Sequence, residues 1–424
     1  MVQFQLLVRY VSYTNTINFP SRVGSSLVHH FAGEINMMKK MKLVKRRVVM
    51  LNFSVTVRAY SSGMLGIIAI IQKLRSEGYC FQVILPNNKQ MAALFLNTNW
   101  AYFLSPTCYK LKIGSNKQLC TKNFKNDKEI AALTSEFMNL VLRTMYMLKD
   151  VISALEWSIY EICDNVINHS DSKLGGYIEA SIFLKEQRVG FTVADAGRGI
   201  LNSLKEGLPD LRRSSDAISE AIKEGVTRNA SIGQGNGLAG SSRITIMTGG
   251  SLDITSGAGR LFLTPTQFNK IEEEPNFAFE GTSVSGCIMM NSDFSIGSAL
   301  VFKGVEYFPT NFIEMQYEHP DEDLFVLRLK NEPTGVGTRN AGRQMHTKVL
   351  NLMINNPDYP IHIDWEGVKI IASSFADEFI GKLYLKIGKD AFLSKIKNIN
   401  LNQVVAQLLG KAIAQRTNGG QANN

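Results

Sequence analysis

Glu161, Asn165 and Asn168 lie in the run Glu161-Ile162-Cys163-Asp164-Asn165-Val166-Ile167-Asn168-His169. On a helix, the i, i+4 spacing stacks Glu161 and Asn165 on one face with Asn168 beside them. A carboxylate and two amides on one face suit a bound cation and its phosphates. Mg²⁺ keeps several waters and takes one or two protein oxygens, while a neighbouring carboxylate can orient or deprotonate a nucleophile.

The elements around this helix must supply the rest of a nucleotide pocket. Gln187 to Ala194 reads as a strand with apolar Val189, Phe191 and Val193 at period two, and it delivers Asp195 into Asp195-Ala196-Gly197-Arg198-Gly199. A carboxylate at a strand end can accept from an adenine amino group. Gly197 and Gly199 allow positive φ and close approach of backbone to a ligand. Gly233-Gln234-Gly235-Asn236-Gly237 precedes a helix expected from about Leu238 to Met247, whose first N–H groups can meet phosphate. Gly281-Thr282 opens a last strand toward Met290.

A lone glycine-rich turn is usually only a turn, and Glu161 and Asn165 alone could be a solvated helix face. The four pieces together, in order and each on a suitable element, reverse that weighting. The stretch from about Ile130 to Asn291 resembles the GHKL ATP-binding fold of histidine kinases, heat-shock chaperones, type II topoisomerases, mismatch-repair proteins and anti-sigma serine kinases. The resemblance implies ATP and Mg²⁺ as ligands, with Glu161 as catalytic base, Asn165 as the Mg²⁺ ligand and Asp195 as the adenine reader, helped through water by Thr282. It further implies that Gly197 and Gly199 shape the adenine side, that Gly233, Gly235 and Gly237 flank the triphosphate, and that Leu201 to Ile232 forms a mobile lid. Arg228 is either a phosphate contact or a solvated lid arginine.

Histidine kinases carry a phosphoacceptor histidine on a dimerising helix pair ahead of the ATP domain. The histidines here are His29, His30, His169, His319, His346 and His362, and the helix expected from about Asp127 to Lys149 contains none. His169 reads as a structural or pocket-edge residue. The run Asn165 to His169 looks closer to anti-sigma-type kinases, which phosphorylate serine.

The flanks carry a second resemblance. From Asp323 the chain alternates strand (Leu324 to Leu329), helix (Thr338 to Met353), strand (Ile361 to Asp364) and helix (Ser374 to Leu385), then another strand and helix to about Ala414. Gly337-Thr338-Arg339-Asn340-Ala341-Gly342-Arg343 and Ser373-Ser374-Phe375-Ala376-Asp377-Glu378 are similar to a STAS-like domain of unknown function that accompanies GHKL proteins. Residues 45–125 look like a divergent STAS module, with a β-rich run Val48 to Val57, an apolar helix from Ser61-Ser62-Gly63 to near Ser76, a strand Tyr79 to Leu85 and a helix from Asn87. In anti-sigma-antagonist STAS domains, an Asp-Ser-Ser-Gly turn carries the phosphorylated serine, which Ser62 matches as a possible phosphoacceptor. Tyr60 replaces the aspartate, and a helix-capping role is expected for Ser61, Ser62, Ser373 and Ser374 instead.

The expected fold class is therefore α/β and multi-domain: a GHKL (Bergerat) α/β sandwich over 127–295, flanked by STAS-like modules at 45–125 and 300–415. Residues 1–44 read as an arm or as sequence ahead of a later start near Met37 or Met41, and 416–424 as a disordered tail. In 424 residues, 45% hydrophobic and 20% charged, there is enough apolar chain for sizeable cores. Cys80, Cys108, Cys120, Cys163 and Cys287 show no metal spacing and read as reduced thiols of a cytoplasmic protein. The net charge of +9 draws on Lys39, Lys40, Lys42, Lys45, Arg46 and Arg47, which read as a basic lead-in to a strand, with protein partners expected and nucleic acid and membrane not. Two functions fit: a serine/threonine-type kinase acting on a STAS serine, or an ATP-gated conformational switch without protein phosphorylation.

Overall fold

A computed structural model describes residues 15–40, 48–112, 118–226 and 236–419. Gly233, Gly235, Arg228 and most of the glycine-rich run lie outside the described residues. The chain forms two compact units, residues 1–134 with 157–308, and residues 135–156 with 309–424.

The first unit begins with β1 (Thr16–Asn18), β2 (Arg22–Val23) and α1 (Ser26–Lys40), then β3 (Val48–Asn52), β4 (Arg58–Ala59), α2 (Ser61–Ser76), β5 (Cys80–Ile84), α3 (Lys89–Asn97) and α4 (Trp100–Leu104). β1, β3 and β5 make a parallel sheet in that order, and β2 pairs with β4. The segment expected as an arm thus contributes an edge strand and a core helix, because Val28, Phe31, Ala32 and Ile35 put one face of α1 into the interior. Its short strands carry too few residues for an alternation to be read.

Next come β6 (Gln118–Phe124), α5 (Asp127–Thr144), α6 (Lys149–His169), β7 (Gly176–Phe183), β8 (Arg188–Asp195), α7 (Gly199–Leu204), α8 (Ser214–Ala221) and α9 (Gly237–Met247). They are followed by β9 (Ser251–Gly257), β10 (Gly259–Thr264), β11 (Gln267–Glu272) and β12 (Phe279–Met289), then α10 (Ile296–Ala299), β13 (Val301–Phe302) and β14 (Val305–Glu306). A seven-stranded sheet runs β11-β10-β9-β12-β8-β7-β6, antiparallel throughout.

α2 explains why the amino-terminal elements and this sheet are one body. Gly63 to Ile71 are buried without interruption, as in a helix that is apolar all round and covered on all sides. α2 lies against β7, β8 and β12, and its core runs on through Phe53, Phe95 and Trp100 to Tyr177, Ala194 and Phe279. The expected boundary near residue 126 therefore crosses a continuous core.

Strand alternation divides the sheet's two faces. Thr192 and Ala194 turn toward α2, with the Thr192 hydroxyl donating to Ser61 Oγ at 2.9 Å and Ala194 in the shared core. Val193 and Asp195 turn the other way, beside Val284 and Thr282 of β12, their partners in register.

The described part of the expected lid, up to Val226, contains the end of α7 and all of α8. α8 sits within it, fixed by Glu272, whose carboxylate accepts from Ser214 N at 3.0 Å and Ser215 N at 2.6 Å, and by the burial of Ala217 and Ile218. This acid at an N-terminus satisfies free N–H groups and complements the helix dipole. Glu272 is the last residue of β11.

The second unit continues with α11 (Phe312–Met315), β15 (Phe325–Arg328), α12 (Arg339–Asn355), β16 (Ile361–Asp364), α13 (Ser373–Ala376), a π-helical turn Asp377–Gly381, α14 (Lys382–Ile387), α15 (Lys389–Lys395), β17 (Ile396–Ile399) and α16 (Gln403–Gly419). β15, β16 and β17 form a parallel sheet in chain order, Phe325 facing Ile361 and Ile361 facing Ile396. α16 extends through the start of the expected tail, and Arg416 holds Asp377 with two hydrogen bonds of 2.7 Å. The capping expectation fails at both serine pairs. Tyr60 and Ala372 occupy the N-cap positions, and neither helix start has a side-chain cap.

Candidate functional site

A cavity of about 410 Å³ opens on the face of the seven-stranded sheet away from α2. Its spine is α6. Trp157, Glu161, Asn165, Asn168, His169 and Ser170 all line it, and Trp157 and Ser170 lie about 20 Å apart at the helical rise per residue. The i, i+4 reading of Glu161 and Asn165 thus matches their shared cavity.

Asp195 and Thr282 line the Ser170 end. The link is short: Arg198 N donates to Ser170 O at 2.8 Å and Arg198 Nε to His169 O at 3.0 Å. Gly197 N donates to Asp195 Oδ1 at 2.7 Å, and burial pushes this carboxyl up to about 7 although the N–H groups of Gly197 and Thr282 oppose the rise. An acid with so little compensation readily accepts another donor.

Gly199 has φ of +75°, and a Cβ there would come within 3.0 Å of Ser256 Oγ and 3.2 Å of Gly281 O. Ser256 was not foreseen. Its hydroxyl donates to Gly281 O at 2.9 Å, accepts from Ile200 N at 2.9 Å and lies 3.0 Å from Thr282 Oγ1, so it ties α7 to the start of β12. Only its position opposite Thr282 in the β9–β12 ladder marks it out, and pairing is not readable from sequence alone.

Glu161 lies further along α6. Burial, with a lesser contribution from Asp164, pushes its carboxyl up to about 7. Gly237, the first residue of α9, packs so closely that a Cβ would come within 2.4 Å of Glu161 Oε2. The helix start therefore meets the carboxylate directly. Ile162, Val166, Val193, Ile200, Leu204, Leu238 and Val284 complete apolar walls around these few polar groups, the usual make-up of a small-molecule site.

Of the expected pocket residues, the cavity gathers Glu161, Asn165, Asn168, Asp195, Gly199, Gly237 and Thr282. Gly281 packs on the backbone of Asp195, and Gly197 on that of Ser170. Ser62 is not brought there: it lies in the first turn of α2, half-buried, across the sheet from the cavity. Phe302 and Tyr307, on and just after the β13–β14 hairpin, are additional lining residues beyond the stretch compared with the ATP-binding fold.

The second unit holds charge differently. Lys348 is fully buried and bonds both Glu332 carboxylate oxygens, at 2.7 and 2.8 Å, and Tyr317 OH at 2.8 Å. Glu378, 2% exposed, lies 2.8 Å from Lys382, 3.2 Å from Arg339 and 3.8 Å from Arg343. Burial raises its carboxyl, and Lys382, Arg343 and Arg339 more than reverse this, holding it below the ordinary value. Residues 337–343 and 373–378 meet at this acid.

Residues 341–406 match the STAS-like domain of unknown function (DUF4325). The STAS-like domain thus covers most of α12, the β16 and β17 strands and the helices between them. No curated protein and no solved structure matches the chain. The molecule is a mixed α/β, multi-domain protein with a STAS-like domain. Among the described residues, no helix is long and apolar enough to cross a membrane, and no group of three His, Cys, Asp or Glu side chains could hold a metal.

Proposed function

We propose that the chain is an ATP-binding regulatory protein of the GHKL class that passes the terminal phosphate of ATP to a serine or threonine hydroxyl of a STAS-type partner. The observation that carries this reading is the convergence of Glu161 and Asn165 of α6, Asp195 of β8 and Thr282 of β12 on one cavity of about 410 Å³. That volume falls within the range of about 300–1,000 Å³ of small-molecule sites.

Each group has a role under this reading. Asp195 accepts from the adenine amino group beside Thr282, and a bound donor stabilises its charged form. Asn165 supplies an oxygen to Mg²⁺, which neutralises phosphate charge when bound. The first N–H groups of α9 face the phosphates, and Glu161 takes the proton from the acceptor hydroxyl. That oxygen bonds to phosphorus, the bridging P–O bond breaks, and its electron pair leaves with ADP. STAS-like domains often mediate protein interactions, which supports a protein partner.

The location of Ser62 favours a second reading. With this serine across the sheet, the nearest expected acceptor in the same molecule is out of reach, and an ATP-gated switch that passes phosphate to water becomes the alternative.

Incubating the protein with γ-labelled ATP, Mg²⁺ and STAS-type partners separates the two readings. Label on a protein hydroxyl identifies the kinase, and label in free phosphate alone identifies the switch. Asn165→Ala is expected to lose Mg²⁺-dependent binding and turnover in either case; undiminished binding and turnover in that variant would overturn the pocket assignment.

A further inference from the structure

Beyond Glu161, the cavity is lined by the aromatic side chains of Trp157, Phe302 and Tyr307, the last 47% exposed. α9 gives its order: Gly237 packs on Glu161, a Cβ on Gly240 would come within 2.3 Å of Trp157 and 2.7 Å of Leu300, and Arg243 lies 5.0 Å from the Phe302 ring centroid. These positions, three residues apart, follow one helix face with a rise of about 4.5 Å per step. The β13–β14 hairpin therefore stands past Glu161, at the end of α6 away from Asp195. Trp157, Phe302 and Tyr307 face the same cavity as the Glu161 carboxylate.

The hairpin is built to hold that position. Lys303 and Gly304 both have positive φ, +52° and +79°, which gives the tight two-residue turn that suits a hairpin. Tyr307 N donates to Leu300 O at 2.9 Å. Glu224, in the segment between α8 and α9, accepts from Lys303 N and lies 3.7 Å from Arg243, so one acid joins the hairpin to the loop that also lines the cavity through Val226.

We propose that Phe302 and Tyr307, with Trp157, select the phosphate acceptor: the aromatic wall bars water from the end of the cavity at Glu161, and Glu224 latches it shut. The proposal rests on the nucleotide reading above and adds to it the residues that decide between protein hydroxyl and water. When the wall opens, Glu161 takes a proton from water, the water oxygen bonds to phosphorus, and the bridging P–O bond breaks with its electrons going to ADP. Apolar side chains beside a reacting centre act in this way by keeping solvent from the competing reaction.

The test uses the full chain, a Phe302→Ala/Tyr307→Ala double variant and a Glu224→Ala variant, whose substitution is at a partly exposed position. The first readout needs no nucleotide. Acrylamide quenching of tryptophan fluorescence is expected to rise in both variants, because Trp100 and Trp365 are 1% exposed while Trp157 adjoins the hairpin. The second is phosphate release from Mg-ATP, expected to rise about tenfold, equivalent to about 1.4 kcal/mol of barrier. A fluorescent ATP analogue measures binding in parallel, with affinity retained in Glu224→Ala.

Unchanged quenching in both variants overturns the wall. Increased quenching with intact nucleotide binding and unchanged phosphate release overturns acceptor selection while leaving the pocket assignment standing. Failure of the parent chain to bind the analogue overturns the nucleotide reading and acceptor selection together.

Discussion

The buried acids beside Lys348 and Lys382 and those that line the cavity are handled in opposite ways. In the STAS-like unit, Glu378 faces Lys382, Arg339 and Arg343, and Glu332 is bonded twice by Lys348. In the cavity, Glu161 and Asp195 are both raised to about 7 by burial, with only backbone N–H groups and the charge of Lys73 opposing the rise at Asp195. A buried charge is costly unless paired and hydrogen-bonded, so an acid paired within the fold is structural, whereas one left under-compensated suits a ligand or a proton.

Glu161→Gln breaks the comparison most strongly on the cavity side. It is expected to reduce phosphoryl transfer or hydrolysis by about 10²–10⁴, the usual range for general acid–base catalysis, with nucleotide binding retained. In the wild type, activity is expected to rise as pH passes through about 7, where the raised Glu161 carboxyl ionises, and this limb should vanish in the variant. A pH–rate profile of both proteins checks it; a wild-type rate independent of pH between 6 and 8 (about one unit either side of that value) would remove the base role.

On the other side, Lys348→Ala strands the buried Glu332 carboxylate, and a loss of about 3–5 kcal/mol is expected for a broken buried pair. Urea unfolding measures it. Burial already lowers the Lys348 ammonium pKa, with Glu332 opposing that effect, so the pair depends on close geometry. If Lys348→Ala cost no more stability than Glu161→Gln, the proposed contrast between paired and under-compensated acids would fail.

The smallest effect sharpens the comparison with a third acid. Glu179 is raised from 4.5 to about 7 by full burial, although Trp100 Nε1 and Thr121 Oγ1 each donate to it at 2.6 Å. A folded-state value above the unfolded one means that its contribution is fully present below 4.5 and is lost as pH rises through about 7. Glu179→Gln keeps an acceptor for both donors and removes the titration. The variant is therefore expected to lose less stability than the wild type across that window, by about 1–3 kcal/mol, from unfolding curves at successive pH values.

Much of the cavity was legible because its cues are local. The i, i+4 pair on α6, the period-two strand leading to Asp195 and the glycine that opens α9 are each written within a few residues. So were the STAS-like elements, with Ile361–Asp364 read at both ends. What escaped depends on pairings distant in sequence. Ser256 matters because β9 lies beside β12, Glu272 because its carboxylate reaches Ser214 and Ser215, and Phe302 because α9 carries the glycine that admits Leu300. The edge strand at Thr16–Asn18 is too short to show alternation, and only its ladder with β3 marks it as part of the core. The serine pairs misled for a related reason: both stand one position inside their helices, after Tyr60 and Ala372.

The double-sided burial of α2 has a consequence for synthesis. Its residues 61–76 leave the ribosome well before β12, which ends at residue 289 and covers part of their second face. At about 5–20 residues per second, this apolar helix waits roughly 10–40 s for that cover. A nascent chain paused in this interval presents a sticky surface, so chaperone demand should peak before the cavity is complete.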